Sequence, residues 1–247
     1  MECTATLRGE DDAASLESRV RGNDAHVGRA VMIPDSVRNY VLPVDGSTPG
    51  LLLTSAAFAA KALLHNADNS AVTNRRVLLV LTRNCGLKVH SALGALQHFG
   101  IRPQPRSLLD ALEADGTDRL VEAHRRVSSV EGVGGAQQRT RRPQQQQRAD
   151  GGEGESGYLL VTHEDNVRGL HLDALDAVIV VGRPGSPDEY THIAGRTGRA
   201  GRRGSVLNIV GYEQAAALAS WTKMLGVDFL PVEKGEVASI LLHDGVL

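Results

Sequence analysis

The stretch from residue 186 to residue 204, SPDEYTHIAGRTGRAGRRG, constrains the fold of this chain more than any other. Ser186 can cap a helix, Pro187 suits the first helical position, and Glu189 completes a capping box with Ser186. We therefore predict a helix that begins at Pro187.

The basic side chains of this stretch are spaced for one face of that helix. His192, Arg196 and Arg199 stand at positions i, i+4 and i+7, and Gly198 and Gly201 indicate where the helix ends. A guanidinium group can bind a phosphate through two parallel hydrogen bonds, and glycine allows a backbone to approach a ligand closely. The stretch therefore predicts a phosphate-binding face. A solvated Arg-Gly loop that attracts RNA only through its charge is the alternative.

Short apolar runs flank this stretch at residues 157–162, 176–182 and 204–210. They are rich in Val, Leu and Ile and do not alternate with polar residues, which is typical of buried parallel strands. Because α/β proteins bind ligands at one edge of such a sheet, we expect the loop after the first run and the basic stretch to share that edge.

Two neighbouring stretches, VTHEDNVRGLHLDALDAVIVVGRP and YTHIAGRTGRAG, resemble the C-terminal RecA-like domain of the DEAD-box RNA helicases. The resemblance extends over roughly residues 33 to 230 and is concentrated in residues 157 to 210. It implies an α/β fold with three layers, in which helices flank both faces of a mainly parallel RecA-like sheet.

The basic stretch matches the family's H-R-x-G-R-x-x-R motif at its second and third arginines, which are Arg196 and Arg199. In the family these side chains act on the γ-phosphate of ATP bound by another RecA-like domain, so the resemblance implies that both are catalytic. Two positions depart from the pattern. Ile193 replaces the first arginine of the motif, and His171 replaces an aspartate that contacts the ATP ribose.

The resemblance also implies other ligand-binding residues. Those expected near ATP are Gly169, His171 and His192. Those expected on the RNA backbone are Thr82, Thr162 and Arg168. Thr82 follows an apolar run, and a hydroxyl at such a strand end satisfies a loop backbone as readily as it binds RNA. Both interpretations of Thr82 stay open.

Composition divides the chain into three parts. Residues 1–30 mix charged residues, Gly and Ala without an apolar period, which indicates a disordered tail or linker. Residues 31–247 are expected to form the RecA-like domain, and a Gly-, Gln- and Arg-rich segment at about 128–156 predicts a disordered insertion within it. Pro34 and Pro43 bracket the first strand of the domain, which is typical of an edge strand.

The groups that hold a nucleoside triphosphate are missing from this sequence. It contains neither a G-x-x-x-x-G-K-[ST] phosphate loop nor a D-E-A-D run. We therefore expect ATP and Mg²⁺ to bind only when the chain pairs with an N-terminal RecA-like domain, which is missing here and would act in cis or in trans. Alone, the chain is expected to bind no cofactor and to hydrolyse no ATP.

Composition also limits the other partners. The net charge of -2 indicates that binding of single-stranded or duplex RNA depends on local basic patches. The two cysteines have no metal-binding spacing, so no metal site is expected. No apolar run is long enough for a membrane span, and we predict a soluble intracellular protein with no membrane partner, whose compartment stays open.

Two functions fit this sequence. The first is the C-terminal half of an ATP-dependent RNA helicase, in which two RecA-like domains close around ATP and RNA. The alternative is a non-catalytic RNA-binding or scaffolding module that kept the fold and lost the ATPase activity. Arg196 and Arg199 favour the helicase, whereas Ile193 and His171 favour the module.

Deletion of residues 132–155 tests the prediction of a disordered insertion. Because this composition cannot form a core, the melting temperature should stay nearly unchanged. In differential scanning calorimetry, a fall of more than about 5 °C, very roughly 1 to 2 kcal/mol in a domain of this size, would contradict the prediction.

Overall fold

A single sheet is the centre of the structure, a computed structural model that describes residues 32–65, 75–114, 157–168, 172, 175–237 and 239–240. Its strands are β1 (Val37–Val44), β2 (Arg76–Leu81), β3 (Arg106–Ser107), β4 (Tyr158–His163), β5 (Ala177–Val181), β6 (Gly204–Gly211) and β7 (Phe229–Pro231). Within the described residues all seven pair in parallel, in the order β3-β4-β2-β5-β6-β1-β7. The predicted parallel sheet is therefore confirmed. The tail at 1–30 and the insertion at about 128–156 lie outside the described residues, so both stay predictions.

Helices cover both faces of the sheet. They are α1 (Pro49–Leu64), α2 (Val89–His98), α3 (Pro187–Ala194), α4 (Tyr212–Ala219) and α5 (Thr222–Leu225), and residues 108–114 are also helical. Along β2, alternate side chains enter two apolar clusters, Leu79 with α1 and α2 on one face and Leu78 with α3 and α4 on the other. These clusters give the three layers that the resemblance implied. In the part of the chain that the structure describes, no helix has the length and apolar content needed to span a membrane.

β1 lies inside the sheet, between β6 and β7, so the predicted edge strand is wrong. β7 pairs with Asn39–Val41, and Val232 just beyond β7 donates its N–H to the carbonyl of Val41 at 2.9 Å. The carbonyl of Val41 faces β7, and in a strand every second residue faces the same neighbour, so the ring nitrogen of Pro43 also faces the β7 side. The pairing of β1 with β7 ends at Val41, before Pro43. The proline therefore removes no hydrogen bond from the ladder.

A buried polar network fastens α3 to the sheet. Tyr190 on α3 donates its hydroxyl to Asn39 Oδ1 of β1 at 2.7 Å, and Asn208 Nδ2 of β6 donates to that hydroxyl at 3.1 Å. Asn208 Nδ2 also donates to the carbonyl of Tyr40 at 2.9 Å. Tyr190, Asn39 and Asn208 are at most 2% exposed. Burial raises the pKa of Tyr190, so its hydroxyl keeps the proton that it donates.

Tyr190→Phe should destabilise the domain by about 1 to 3 kcal/mol, because it leaves the side-chain oxygen of Asn39 buried without its donor. The melting temperature should then fall by roughly 3 to 10 °C. Tyr212→Phe removes the same hydroxyl from a side chain that is 64% exposed, and this matched control should change stability by less than about 0.5 kcal/mol. Equal melting temperatures for the two variants would contradict this account of how α3 is held.

Candidate functional site

α3 begins as the sequence predicts. Pro187 occupies its first turn, and Ser186 Oγ accepts a hydrogen bond from the N–H of Glu189 at 3.2 Å. The side chain of Glu189 turns to the loop after β2, where its Oε1 accepts from Arg83 Nη1 at 3.4 Å. The serine therefore makes the cap, and the second half of the predicted capping box is replaced by an ion pair.

α3 ends at Ala194, earlier than the sequence predicts. The N–H of Arg196 bonds to the carbonyl three residues back rather than four, at 3.2 Å. Arg199 lies further along, in a 3₁₀ turn at Arg199–Gly201. The prediction that His192, Arg196 and Arg199 share one helix face is therefore wrong.

Thr197, which no sequence motif singled out, ends the helix. It is fully buried, and its Oγ1 donates to the carbonyl of Leu175 at 2.6 Å. The two residues also form a parallel β-bridge. A residue that pairs with a neighbouring segment in this way leaves the hydrogen-bond ladder of the helix. Residues 195–202, which follow α3, are called the arginine turn below.

Two glycines allow the arginine turn to lie against the sheet. Gly198 has a φ of 71°, and a Cβ on it would lie 2.3 Å from Val37 Cγ2 at the start of β1. A Cβ on Gly204 would lie 2.2 Å from Thr197 Oγ1. Ser36 Oγ also donates to the carbonyl of Gly198 at 3.0 Å. The turn is thus held at the amino ends of β1 and β6.

The predicted site residues lie at two opposite edges of the sheet, so the expectation of a single edge is wrong. Thr82 and Arg168 follow β2 and β4 at the edge where the parallel strands end, called the carboxyl edge. The arginine turn lies beside Gly204, where β6 begins, at the opposite or amino edge. The reason is topological. Since β5 and β6 are parallel, α3 between them must carry the chain back from one edge to the other. The eight residues of α3 span about 12 Å.

At the amino edge, the arginine turn places two guanidinium groups close to the core. Arg196 is 8% exposed, and Arg199 is half-buried, with its Nε donating to the carbonyl of Gly195 at 2.6 Å. Ile193 is 1% exposed and packs in the apolar cluster under α3. Gly169 and His171, which were also expected near ATP, lie outside the described residues, so their roles stay predictions.

At the carboxyl edge, the two threonines are buried and the arginine is paired. Thr82 Oγ1 donates to a backbone carbonyl of β5 at 2.9 Å, which favours the interpretation that this hydroxyl satisfies the backbone. Thr162 lies within β4 and is 2% exposed. Arg168 Nη2 lies 2.9 Å from Asp188 Oδ2, and His192 Nε2 lies 3.6 Å from the same oxygen. Asp188 is therefore the common partner of two residues predicted to bind different ligands.

A cluster of charges at the carboxyl edge was missed from the sequence. Arg83, next to Thr82, forms ion pairs with Asp165, with Glu189 at 3.4 Å and with Glu164 at 3.7 Å. The hydrogen bond from Arg83 lowers the pKa of Asp165. The available signal was position, because Arg83 and the Glu164–Asp165 pair directly follow neighbouring strands. Among the described residues, no group of three or more His, Cys, Asp or Glu could hold a metal ion.

Comparison with known proteins shows similarity to a helicase family over part of this chain. The family described as helicase conserved C-terminal domain matches residues 110–201. Over 89 residues the chain is 34% identical to ATP-dependent RNA helicase DBP8 of Pyricularia oryzae, a match that covers 36% of this chain and 15% of that protein. Over 75 residues it is 35% identical to DEAD-box ATP-dependent RNA helicase CshC of Bacillus cereus, which covers 30% of this chain and 19% of that protein. The matched part of the chain is similar to the C-terminal domain of the DEAD-box RNA helicases.

Solved structures share the fold of this domain. S. cerevisiae Dbp5 bound to RNA and ADP BeF3 is similar with a TM-score of 0.57 at 15% identity, over 96% of this chain and 53% of that one. The C-terminal domain of the DEAD-box protein Dbp5 gives a TM-score of 0.50 at 18% identity, over 84% of this chain and 98% of that one. At these identities the likeness shows the fold, so the domain is RecA-like as expected.

Glu164 is the buried member of the charge cluster in this domain. It is 5% exposed, and its Oε1 accepts from the N–H of Arg83 at 2.8 Å, while its Oε2 is buried without a hydrogen-bond partner. Burial raises the pKa of Glu164 above its ordinary 4.5, and the hydrogen bond from Arg83 opposes this rise only in part. Since the folded domain holds this proton more tightly than the unfolded chain, ionisation of Glu164 costs stability as the pH rises above 4.5.

Glu164→Gln should remove this pH-dependent cost, while its amide oxygen still accepts from the N–H of Arg83. The melting temperature of the variant, relative to the wild-type domain, should therefore rise between about pH 4 and pH 7. Glu213→Gln, at an exposed position of α4, controls for the loss of one negative charge. A difference between Glu164→Gln and wild type that stays constant over this range would show that ionisation of Glu164 is not destabilising.

Proposed function

We propose that this chain is the C-terminal half of an ATP-dependent RNA helicase. Both sequence relatives are named ATP-dependent RNA helicases, and the Dbp5 structure of the same fold holds RNA and ADP BeF3. In the proposed enzyme an N-terminal RecA-like domain, in cis or in trans, binds ATP and Mg²⁺, and this domain closes over them. Arg196 and Arg199 then contact the γ-phosphate, and the carboxyl edge forms part of a track for single-stranded RNA.

The observation that carries this proposal is the contact between Thr197 and Leu175. Leu175 follows the R-G-x-H stretch at 168–171, which corresponds to the family's ribose-binding motif. Thr197 lies in the arginine turn, between Arg196 and Arg199. One hydrogen bond of 2.6 Å therefore holds the arginine turn against the segment that precedes β5.

The chemistry of the arginine turn fits a terminal phosphate. Guanidinium groups offer N–H donors in a fork that matches phosphate oxygens. Gly198 and Gly204 pack closely against Val37 and Thr197, so the backbone that carries Arg196 and Arg199 is held against the sheet. Positive charge that is fixed in advance stabilises the negative charge that develops on a transferred phosphoryl group. ATP and Mg²⁺, when bound by the partner domain, supply that phosphoryl group and part of its charge neutralisation.

The RNA part of the proposal depends on exposed charge at the carboxyl edge. The side chain of Arg168 is 55% exposed, and its pairing with Asp188 is a surface ion pair of the kind that contributes little. An RNA phosphate can therefore replace Asp188. Thr82 and Thr162 are 1% and 2% exposed, so contacts through their hydroxyls require the strand ends to move. Contacts to the phosphate backbone carry no base information, so such a track binds RNA of any sequence.

A non-catalytic RNA-binding or scaffolding module is the second candidate, and Ile193 favours it. This residue stands at the position of the motif's first arginine and is 1% exposed in the core. α3 therefore lacks the guanidinium group that the motif has at this position. An arginine with the orientation of Ile193 would bury its charge. With His171 in place of an aspartate, the nucleotide site has two altered positions.

RNA-stimulated ATP turnover by a reconstituted pair tests the proposal. Joined to an N-terminal RecA-like domain that carries the phosphate loop and the D-E-A-D run, the chain should hydrolyse ATP when RNA is present, whereas alone it should not. Arg196→Ala and Arg199→Ala should each reduce turnover at least about a hundredfold and leave RNA affinity within a few fold, because they act where phosphoryl charge develops. Arg202→Ala, at the end of the same turn, is the matched control and should cost much less.

Loss of folding must be separated from loss of catalysis in this experiment, because Arg196 is only 8% exposed. The melting temperature of each variant provides the first check. Arg196→Lys provides the second, since it keeps the charge, loses the guanidinium fork and should still reduce turnover. A wild-type pair that binds RNA and never turns over ATP would refute the helicase and support the module.

A further inference from the structure

Arg183 lies at the carboxyl edge, close to the loop that follows β2. It follows β5 through Gly182, whose φ is 82° and where a Cβ would lie 2.4 Å from Thr82 Oγ1. Asn84 Nδ2 donates to the carbonyl of Arg183 at 2.7 Å. The backbone of Arg183 is therefore fixed against the loop that follows β2, within the part of this edge where RNA contacts are proposed.

Arg183 differs from the other arginines of this edge in its charge environment. Arg83 forms ion pairs with three carboxylates, and Arg168 pairs with Asp188 at 2.9 Å. For Arg183, the described part of the chain places no carboxylate within the 4.0 Å of an ion pair. A phosphate can approach Arg183 without first displacing an acidic side chain of the described residues.

Trp221 contacts the side chain of Arg183. Arg183 Cζ lies 5.3 Å from the centroid of the Trp221 ring, within the range of a cation–π contact. Trp221 is itself 9% exposed and packs in the same apolar cluster as Leu218, so the ring is a fixed support. A cation–π contact uses the charge of the guanidinium and not its N–H groups, so these donors can still bind phosphate oxygens.

We propose that Arg183, held over Trp221, binds a phosphate of single-stranded RNA at the carboxyl edge of the sheet. The inference rests on the proposed function and names a contact within its RNA track. Neither the helicase motifs in the sequence nor the charge cluster around Arg83 includes this residue. The ligand is a backbone phosphate, to which the guanidinium group donates two hydrogen bonds. Because the phosphate is the same at every nucleotide, the contact is independent of base sequence.

Fluorescence anisotropy with the full chain and a labelled oligo(U) of about 12 nucleotides, between about 50 and 200 mM salt, tests this contact. The wild-type chain should bind weakly and lose affinity steeply as salt is added. Arg183→Ala should bind about 3 to 10 times more weakly at the lowest salt and reduce the slope of log affinity against log salt by about 0.7, which corresponds to one lost phosphate contact. Arg183→Lys should keep the slope, because the charge remains. Arg38→Ala, which removes an exposed arginine near the start of β1, is the matched control and should change neither quantity.

The outcomes separate this inference from the proposed function. A wild-type chain that does not bind the oligonucleotide overturns both the RNA track and the role of Arg183. A wild-type chain that binds, together with an Arg183→Ala chain of equal affinity or unchanged slope, overturns only the role of Arg183. If Arg183→Ala lowers the melting temperature, Arg183→Gln, which keeps the stem of the side chain over Trp221, is used for the same comparison.

Discussion

The hydrogen bond from Thr197 Oγ1 to the carbonyl of Leu175 ties the arginine turn to the segment that precedes β5. It is 2.6 Å long and buried, and loss of the donor would leave a buried carbonyl at a cost of about 1 to 3 kcal/mol. The bond lies three residues beyond the end of α3 at Ala194, and it accompanies the close approach of the arginine turn to the amino ends of β1 and β6. The direction of Arg196 is therefore set by the packing of the sheet and not by the periodicity of a helix.

The two edges of the sheet carry their charges differently. At the carboxyl edge Arg83 is surrounded by Asp165, Glu189 and Glu164, and at the amino edge Arg196 is drawn into the core. Exposed ion pairs are exchanged at little cost, so an RNA phosphate can take the place of Asp165. Glu164 is buried and cannot leave. Burial raises the pKa of Glu164, and the negative charge of a phosphate nearby would raise that pKa further.

The sequence was sufficient for those parts of the fold that depend on neighbouring residues. The cap at Ser186 and the apolar runs of β4, β5 and β6 are local signals, and all were predicted correctly. The end of α3 was not, because Thr197 pairs with Leu175, 22 residues away. The interior place of β1 depends on Val232, near the other end of the chain. The division of the site between two edges follows from the order of parallel strands alone and could have been deduced. The acidic partners of Arg83 could be predicted only in part. The strand ends place Arg83, Glu164 and Asp165 at one edge, but the sequence does not show that β2 and β4 are neighbours.

The burial of Arg196 is stronger evidence for a phosphate ligand than the burial of Ile193 is against one. Ile193 shows that α3 turns this position to the core, where an apolar side chain stabilises the fold whatever the arginine turn binds. Arg196 is the opposite case, because a guanidinium that is 8% exposed loses hydration even when it is paired. An apolar side chain of similar volume would stabilise the fold at least as well. A module that needed only the fold would gain stability by replacing Arg196. A buried charge beside the close backbone contact at Gly198 therefore supports the proposal that the arginines of this turn bind a phosphate.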